Sequence, residues 1–332
     1  MAAPPSPDNP LALIVAGPTC SGKSALALAI ARRAGGTIIN ADAMQTYRDL
    51  RVITARPTPA EEVLVTHALY GVRAACEPGN AAWWRTEALA AMDAARRQGR
   101  LPILCGGTGL YFLALTEGLA EIPEPGPEAR AEARSLLAEI GPACLHAELA
   151  ALDPDSAARL RPTDSQRIAR AWEVLRGTGR GLAAWQAGPA LPPAPWRFMA
   201  LRLDPPRTDL RAAIGDRFSA MLRDGALEEV RALVGLGLDP ALPAMRAHGV
   251  PELAAHLRGE ITLAEAERRA VSVTARYTKR QATWFRHHTL APNCDTRVIL
   301  SRVTSDEQCL ERIMPDLCNF LSKQVDALQD GP

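Results

Sequence analysis

One segment near the start of the chain has the residue types and spacing of a phosphate-binding loop. Its pattern is two glycines, a lysine and a hydroxyl residue, and in such a loop the backbone N–H groups surround phosphate oxygens. Only three of the 38 Lys and Arg residues are lysine, so chance would put a lysine here about once in twelve. A compact ammonium group fits among phosphate oxygens, which favours a functional loop. The segment consists of Gly17, Pro18, Thr19, Cys20, Ser21, Gly22, Lys23 and Ser24.

The sequence around this loop predicts the strands and helices that must hold it. Leu11–Ala16 is a continuous apolar run, typical of a buried parallel strand, and 25–32 has apolar residues at helical spacing. Further strands are predicted at 37–40 and 101–105, with a helix at 81–98 between them. Alternating strands and helices predict an α/β fold, a P-loop NTPase-like core in which helices flank a parallel sheet.

Polar residues follow the predicted strands at the points where the strands end. Asp42 follows the second strand, and Gly106, Gly107 and Thr108 follow the third. Ligands of parallel sheets bind beyond the carboxyl ends of the strands, so these residues converge with the loop. Asp42 could hold magnesium, act as a base, or cap the turn that follows it. The glycines before Thr108 let a ligand approach the backbone.

The pattern becomes helical after residue 120, between two Pro-rich segments. The first lies at 121–127 and the second at 189–195, after which a strand is predicted at 198–203. Helices are predicted at 129–139, 143–150, 155–160, 166–176, 212–233, 253–256, 263–285 and 309–328, and a last strand at 298–300. The predicted organisation is a disordered tail at 1–10, a core of 11–120 and 190–305, a helical insertion at 121–189, and a C-terminal helical extension at 306–332.

Two helical segments carry basic residues in patterns that suit RNA. In 162–173, Thr163 and Gln166 have capping-box spacing, and Gln166, Arg167 and Arg170 lie away from the apolar face. A merely solvated polar face would have the same pattern. The segment 267–286 contains six basic residues, one acidic residue and three aromatic residues, a composition that suits contact with a nucleic acid backbone and its bases. An amphipathic helix clamped on the core would look similar.

Composition restricts the classes of protein that remain. The net charge of +1 excludes a polyelectrolyte, so any affinity for nucleic acid must come from local clusters. The seven cysteines form no C-x-x-C pair and share no zinc spacing with the histidines, which predicts reduced thiols in the cytoplasm. The sequence has no signal-peptide pattern and no apolar run near the about 20 residues that cross a bilayer, so we expect no membrane association.

Taken together and in order, these segments resemble the bacterial tRNA dimethylallyltransferase family. The resemblance covers residues 11–290. It rests on Gly-Pro-Thr-x-Ser-Gly-Lys-Ser at 17–24, Asp-x-x-Gln-x-Tyr at 42–47, Thr-Ala-Arg-Pro at 54–57, Gly-Gly-Thr-x-Leu-Tyr at 106–111, Gln-Arg-x-x-Arg-Ala-x-Glu-Val at 166–174, and Thr-Ala-Arg-Tyr-x-Lys-Arg-Gln-x-Thr-Trp-Phe-Arg at 274–286.

The resemblance implies the transfer of a dimethylallyl group from dimethylallyl diphosphate to the exocyclic amine of the adenosine directly after the anticodon. The loop would then hold pyrophosphate, with Mg²⁺ bound through Ser24 and with Arg217 as a further candidate for the pyrophosphate. Asp42 would act as the base, and Thr108 would contact the oxygen between the allyl carbon and the phosphorus.

The resemblance also implies that a monomer binds the tRNA anticodon stem-loop, with the insertion closing over it and the target base flipped into the site. The implied or predicted tRNA contacts are Asp42, Ala43, Met44, Gln45, Arg130, Gln166, Arg167, Ile168, Ala169, Arg170, Arg276 and Arg280. The chain departs from the family in having Ala43 where Ser is usual and His248-Gly249-Val250 in place of Ile-Gly-Tyr. The zinc finger of the eukaryotic relatives is absent from the sequence.

Two other functions remain open from the sequence. A small-molecule or nucleotide kinase would also have a strand, a P-loop and a following Asp, and would bind and cleave ATP. The basic, aromatic late helix argues against it. A tRNA-binding protein that has lost catalysis is the second alternative, and intact Lys23, Ser24, Asp42 and Thr108 argue against that one.

Overall fold

The computed structural model describes residues 9–304, 311–317 and 319–320. Nearly all of the tail predicted at 1–10 therefore lies outside the described residues. Of the helix predicted at 309–328, residues 311–317 and 319–320 are helical, and the rest lies outside as well. The chain forms two compact units: one runs to Thr116 and resumes at Ala194, and the other comprises Glu117–Pro193.

The first unit is built on a parallel sheet. The described strands of the chain are β1 (Leu11–Ala16), β2 (Gly36–Asn40), β3 (His67–Ala68), β4 (Leu101–Gly106), β5 (Leu119–Ala120), β6 (Ala190–Leu191), β7 (Arg197–Leu203) and β8 (Thr296–Ile299). In this sheet the described strands lie in the order β3-β2-β4-β1-β7-β8, and every neighbouring pair is parallel. The predicted parallel sheet is confirmed. The two-residue edge strand β3 was not predicted, because it is too short to produce a periodic pattern.

Helices account for most of the remaining chain. They are α1 (Lys23–Ala34), α2 (Pro59–Leu64), α3 (Ala81–Arg97), α4 (Gly109–Thr116), α5 (Gly126–Leu152), α6 (Pro154–Ala157), α7 (Ser165–Thr178), α8 (Leu182–Gln186), α9 (Arg207–Arg223), α10 (Ala226–Gly235), α11 (Val250–Leu257) and α12 (Leu263–His287). The single segment predicted at 212–233 is wrong, since α9 and α10 are separate. Gly225, between them, has φ 97°, a left-handed conformation that interrupts the helix.

Both faces of the sheet are buried, which explains the continuous apolar run in β1. Ala12, Ile14 and Ala16 belong to one apolar cluster, which also contains Trp84 and Phe112 from the helices on that face. The intervening Leu13 and Val15 belong to a second cluster, with Leu26 and Ile30 of α1 on the opposite face. Because helices pack against both faces of the sheet, the ends of the strands are held in fixed positions.

A third cluster, next to the sheet, holds α9, α10, α11 and α12 together. Phe218, Val230, Leu253 and Ala266 contribute one buried side chain from each of these helices. Tyr47 from the segment after β2 joins the same cluster with 1% of its surface exposed. The polar turn after β2 is therefore anchored to the late helices by apolar packing.

The second unit has its own apolar core, formed by α5, α6 and α7. Ala133, Leu145, Ile168 and Trp172 pack together there. By length and composition α5 is the one described helix that could cross a membrane, but its backbone breaks at Gly141, where φ is 75°. The break leaves no continuous helix of the about 20 residues that a bilayer requires. It also accounts for the two separate helices predicted at 129–139 and 143–150.

The helix cap predicted for α7 is wrong. The predicted capping box used Thr163 and Gln166, but α7 begins at Ser165, and the Asp164 side chain accepts the N–H of Arg167 at 3.3 Å. A carboxylate is a strong acceptor for a free helical N–H and interacts favourably with the positive end of the helix dipole. Asp164 therefore takes the capping position one residue later than predicted.

Candidate active site

Three loops meet at the carboxyl edge of the sheet, after β1, β2 and β4. The turn after β2 is tied to β4 and its turn by backbone bonds: the N–H of Ala41 donates to the carbonyl of Cys105 at 2.8 Å, and the N–H of Thr108 donates to the carbonyl of Ala41 at 3.1 Å. A third bond joins the N–H of Ala43 to the Thr108 hydroxyl oxygen at 3.0 Å. A side chain at Gly106 would put its Cβ 2.0 Å from the Ala41 carbonyl oxygen, so only glycine allows this approach.

The predicted phosphate loop leads directly into the start of α1. Gly22 has φ 93° and precedes Lys23, the first residue of the helix. The helix N-terminus presents free N–H groups and the positive end of the dipole, which attract an anion. Lys23 is half-buried and Ser24 is exposed, so both can reach a ligand above the loop.

Arg217 of α9 lies against the phosphate loop. One guanidinium nitrogen contacts the Cys20 sulfur at 3.8 Å, and the other donates to the carbonyl of Thr54 at 3.3 Å. Cys20 itself has φ 65°, a conformation that non-glycine residues rarely adopt and that tends to occur at functional loops. The structure therefore brings Arg217 to the loop, as the sequence interpretation required.

Asp42 is half-buried and partly engaged in local structure. Its Oδ1 accepts the N–H of Met44 at 3.0 Å, which supports the short turn Met44–Thr46. Its own backbone N–H donates to the Asn40 side chain at 2.8 Å. Within the described part of the chain Oδ2 has no hydrogen bond. The carboxylate thus stabilises the turn through one oxygen, as the capping alternative proposed, and keeps the other for a ligand.

The charge of Asp42 acts on three aromatic side chains. Burial first, and the Asp42 charge second, raises the pKa of Tyr277 to about 12 and raises the pKa of Tyr111 as well. Burial, followed by the Arg280 charge, lowers the pKa of His248, while Asp42 acts in the opposite sense. The His248 and Tyr277 rings lie with their centroids 4.6 Å apart. Both phenols stay protonated at neutral pH; Tyr111 is buried and stacks on Trp84, whereas the half-buried Tyr277 and His248 leave part of their surface accessible.

The thiol of Cys105 shows that the phosphate loop and Asp42 share one space. Burial raises its pKa to about 11, the Lys23 charge and a hydrogen bond from Ser24 lower it, and the Asp42 charge raises it. The groups predicted to bind phosphate and to act as a base therefore all act on one buried sulfur atom. Cys105 itself remains a neutral thiol at physiological pH and is not a nucleophile.

The oxygen donors present are compatible with a magnesium ion that arrives with a phosphate. The described residues contain no group of three or more His, Cys, Asp or Glu side chains that could cage a metal. Mg²⁺ rarely needs such a cage, because it takes one or two protein oxygens and completes its shell with phosphates and water. The exposed hydroxyl of Ser24, at the loop, is suited to be the protein ligand.

Gln281 is a residue that the sequence interpretation missed. It is 5% exposed, and its Oε1 accepts the backbone N–H of Thr19 at 2.9 Å and the Thr19 hydroxyl at 3.1 Å. Its Nε2 donates to the carbonyl of Gly107 at 2.9 Å. One side chain of α12 thus connects the phosphate loop to the Gly-Gly-Thr turn. The available signal was a polar residue in line with Thr278 and Phe285 on the buried face of the helix.

The helix α12 is amphipathic: one face packs on the core, and its exposed face is basic. Ala282 and Phe285 are buried in the core. Arg276, Lys279 and Arg280 are exposed, and none of them forms an ion pair with another described residue. By contrast, other arginines of the helix are paired: Arg268 and Arg269 with Glu265, and Arg286 with Asp204.

The segment Ala43–Gln45 serves the fold as well as the site. The Gln45 amide nitrogen donates to the carbonyls of Thr54 and Ala55 at 2.8 and 2.9 Å, so it is committed to the protein. Met44 packs at the margin of the third apolar cluster. Ala43 offers its backbone N–H to Thr108, and its side chain adds no polar group.

The predicted tRNA contacts of the second unit lie on or near the start of α7. Gln166 and Arg167 are exposed, and Arg167 and Arg170 form ion pairs with Asp164 at 3.5 Å and Glu173 at 3.3 Å. Arg130 of α5 pairs with Glu124. Ile168 is fully buried and Ala169 half-buried, so Ile168 can offer only its backbone to a partner.

Comparisons with known proteins agree on one family. The IPP transferase family model matches residues 45–288. The tRNA dimethylallyltransferase of Granulibacter bethesdensis is 62% identical over 310 residues, covering 93% of this chain and 97% of the relative. The enzyme of the same name from Gluconobacter oxydans is 59% identical over 327 residues and covers 98% of both chains.

Solved structures are similar over nearly the whole chain. The full-length tRNA isopentenylpyrophosphate transferase from Bacillus halodurans has a TM-score of 0.66 at 28% identity, covering 96% of this chain and 99% of its own. A eukaryotic dimethylallyltransferase acting on tRNA has a TM-score of 0.73 at 23% identity, covering 95% of this chain and 80% of its own. The second likeness concerns the fold alone.

Replacing Gln281 tests its connecting role. Gln281→Leu keeps a similar volume but leaves the Thr19 N–H and the Gly107 carbonyl without a partner, at a cost of about 1–3 kcal/mol for a buried unpaired group. We expect inorganic pyrophosphate, measured by calorimetry, to bind at least about tenfold more weakly. Thr283→Ala, on the exposed face of the same helix, is the control. Unchanged pyrophosphate affinity in a folded Gln281→Leu protein would contradict the role.

Proposed function

This chain belongs to the IPP transferase family, and on that basis we propose that it transfers a dimethylallyl group from dimethylallyl diphosphate to tRNA. The acceptor is the exocyclic amine of the adenosine directly after the anticodon, and pyrophosphate is released. The chain is a tRNA-modifying prenyltransferase, like its relatives at 62% and 59% identity, which match it almost end to end. The donor, the position of the acceptor and the roles of individual residues are parts of the proposal.

The observation that carries the proposal is the convergence of the phosphate loop, Asp42 and Thr108 at one edge of the sheet. A prenyl transfer to an amine needs an anion site for the leaving group beside a proton acceptor for the nucleophile. The electrostatic influence of Lys23, Ser24 and Asp42 on the Cys105 thiol supports such a combination. A nucleotide kinase would need the first part but has no use for a basic helix with exposed arginines.

The leaving group is stabilised by the loop in this proposal. As the bond between the allylic carbon and its oxygen breaks, negative charge grows on the pyrophosphate. Lys23, the N–H groups at the start of α1 and Arg217 are arranged to neutralise it. The Thr108 hydroxyl already accepts the N–H of Ala43, so its proton remains available to donate to the departing oxygen. Magnesium, bound through Ser24 and the phosphates, would supply further neutralising charge.

The nucleophile is activated by Asp42. The adenine amine is a weak nucleophile, because its lone pair is delocalised into the ring. As the new carbon–nitrogen bond forms, the amine proton passes to Oδ2, while Oδ1 keeps its hydrogen bond from Met44. The rings of Tyr277 and His248 would flank the adenine once the base has left its stack.

The RNA backbone is bound by arginines in this proposal. Arg276 and Arg280 lie one helical turn apart on the exposed face of α12, without acidic partners among the described residues. In the second unit Arg167 would exchange an exposed ion pair for a phosphate contact, which costs little because such pairs contribute only about 0–1 kcal/mol. Arg170 would exchange a partly buried pair with Glu173. Arg130 and the Ala43–Gln45 segment remain proposed tRNA contacts. We further propose that the enzyme works as a monomer in the cytoplasm, where tRNA is modified.

The direct test is mass spectrometry of an anticodon stem-loop after incubation with the protein, Mg²⁺ and dimethylallyl diphosphate. The adenosine after the anticodon should gain one dimethylallyl group in place of a hydrogen. Binding of the stem-loop without modification would favour the alternative of an RNA-binding protein that has lost catalysis.

Removing the proposed base should abolish most turnover. Asp42→Ala should lower turnover by about 10²–10⁴-fold, the usual contribution of a general base. Asp42→Asn should lose a similar factor, because an amide keeps the acceptor for the Met44 N–H but cannot take a proton. Turnover would be measured at saturating tRNA and donor, with binding of both checked separately. Near-normal turnover in either variant would remove Asp42 from this role.

The ligand that the loop binds distinguishes prenyl transfer from phosphoryl transfer. Inorganic pyrophosphate should compete with dimethylallyl diphosphate, and ATP should not be consumed during the reaction. Lys23→Ala should raise the donor KM by at least about tenfold, because it removes the one mobile charge of the loop. Release of ADP in proportion to product would instead establish the kinase alternative.

The exposed arginines of α12 should account for part of the salt dependence of tRNA binding. Arg276→Ala with Arg280→Ala should weaken binding and flatten its dependence on salt by a slope of about 0.7–0.9 per lost phosphate contact, with the donor KM unchanged. Arg268→Ala with Arg269→Ala is the matched control, since these arginines are paired with Glu265. A double variant of Arg276 and Arg280 that binds tRNA normally at every salt concentration would contradict this assignment.

A further inference from the structure

The chain returns to the phosphate loop after its last strand. Residues 301–304, here called the strap, follow β8 at the carboxyl edge of the sheet. The N–H of Val303 donates to the carbonyl of Ser21 at 3.0 Å, and Nε of Arg302 donates to the carbonyl of Cys20 at 3.0 Å. Two successive carbonyls of the phosphate loop are therefore held by the strap.

The strap and the loop are in direct contact. A side chain at Gly22 would place its Cβ 1.8 Å from the carbonyl oxygen of Val303 and 2.6 Å from its carbonyl carbon. Val303 is 1% exposed and packs in the same apolar cluster as Leu26 of α1 and Leu317 beyond the strap. Apolar packing on both sides of Val303 thus fixes the strap against the loop.

The bond to Ser21 determines where the next N–H points. Among the described residues no peptide bond is cis, so the Ser21 carbonyl and the Gly22 N–H, which share one peptide unit, point in opposite directions. Because the carbonyl is directed at Val303, the Gly22 N–H is directed away from the strap. In phosphate loops it is these inward N–H groups that bind the anion.

Other contacts leave this peptide unit dependent on the strap. The Ser21 N–H donates within the loop to the carbonyl of Pro18 at 3.2 Å, and Gln281 holds the loop farther back, at Thr19. The Ser21 hydroxyl is fully buried and has no hydrogen bond in the described structure, so it does not orient the loop. The strap, together with the bond from the Leu26 N–H to the Gly22 carbonyl at 3.1 Å, therefore fixes the turn directly before Lys23.

We propose that the strap is a positioning element for the donor: Val303 and Arg302 hold the Cys20 and Ser21 carbonyls outward so that the Gly22 N–H faces the pyrophosphate. This inference rests on the proposal that the loop binds the pyrophosphate of dimethylallyl diphosphate. It gives the strap a role in donor binding that acts through the backbone of the phosphate loop.

The test removes the Val303 N–H and keeps every side chain. Incorporating the α-hydroxy analogue of valine at Val303 replaces the amide by an ester, which abolishes the bond to Ser21 and keeps the buried side chain. Val65→Ala is the control for lost packing, because Val65 belongs to the same buried apolar cluster but lies outside the strap and the loop. For each full-length protein one measures the Kd of inorganic pyrophosphate, the KM of dimethylallyl diphosphate, kcat at saturating donor, and the Kd of tRNA.

The ester variant should bind pyrophosphate about fivefold to tenfold more weakly and show the same rise in donor KM, the usual effect of one lost hydrogen bond. Its kcat at saturating donor and its tRNA Kd should match those of the parent, whereas Val65→Ala should lower thermal stability with donor KM unchanged. If the ester protein does not fold, Arg302→Met decides the question at high salt, where the effect of the lost positive charge is screened and the loss of the bond to Cys20 remains.

Two outcomes would overturn the proposal in distinguishable ways. If the parent binds pyrophosphate and the folded ester and Arg302→Met proteins bind it equally well, the strap has no positioning role, while the proposed function stands. If the parent itself shows no affinity for pyrophosphate, the assignment of the loop to the donor fails, and the strap inference fails with it.

Discussion

The close approach of the Ala41 carbonyl to Gly106 is the constraint on which the rest of the site depends. With any larger residue at 106, the turn after β2 would be pushed away from β4. The glycine lets Ala41 accept the N–H of Thr108, which in turn lets the Thr108 hydroxyl accept the N–H of Ala43. Asp42 lies between these two anchored residues, so its carboxylate is held by backbone bonds on both sides rather than by a flexible loop.

The long helix α12 contacts two of the loops at the candidate site. Its buried face packs on the core through Phe285 and reaches the phosphate loop and the Gly107 turn through Gln281. Its exposed face carries Arg276 and Arg280. One rigid helix therefore holds both the contacts to the two loops and an exposed basic face. This arrangement explains why a buried glutamine is satisfied by three polar partners in an otherwise apolar interface.

The phosphate loop is held from outside itself at two places. Gln281 forms hydrogen bonds with its first half at Thr19, and the strap forms hydrogen bonds with its second half at Cys20 and Ser21. Such support matters because a loop that binds by backbone N–H groups gains affinity only when those groups already point at the anion. Residues far apart along the chain thus support one short loop.

The sequence by itself determined the parallel sheet, because buried strands produce continuous apolar runs, and it determined the phosphate loop, because Gly, Lys and Ser at fixed spacing have few other uses. It also indicated Asp42 and Thr108, since both follow strands that end at the ligand edge. The local sequence pattern did not identify the helix cap where two possible acceptors lie within a few residues. At the start of α7 the side chain of Asp164, not that of Thr163, caps the helix. Only the tertiary structure decided that Gln281 joins two loops and that Val303 contacts the Ser21 carbonyl, because these contacts join residues 174 or more positions apart and depend on packing that no local spacing records.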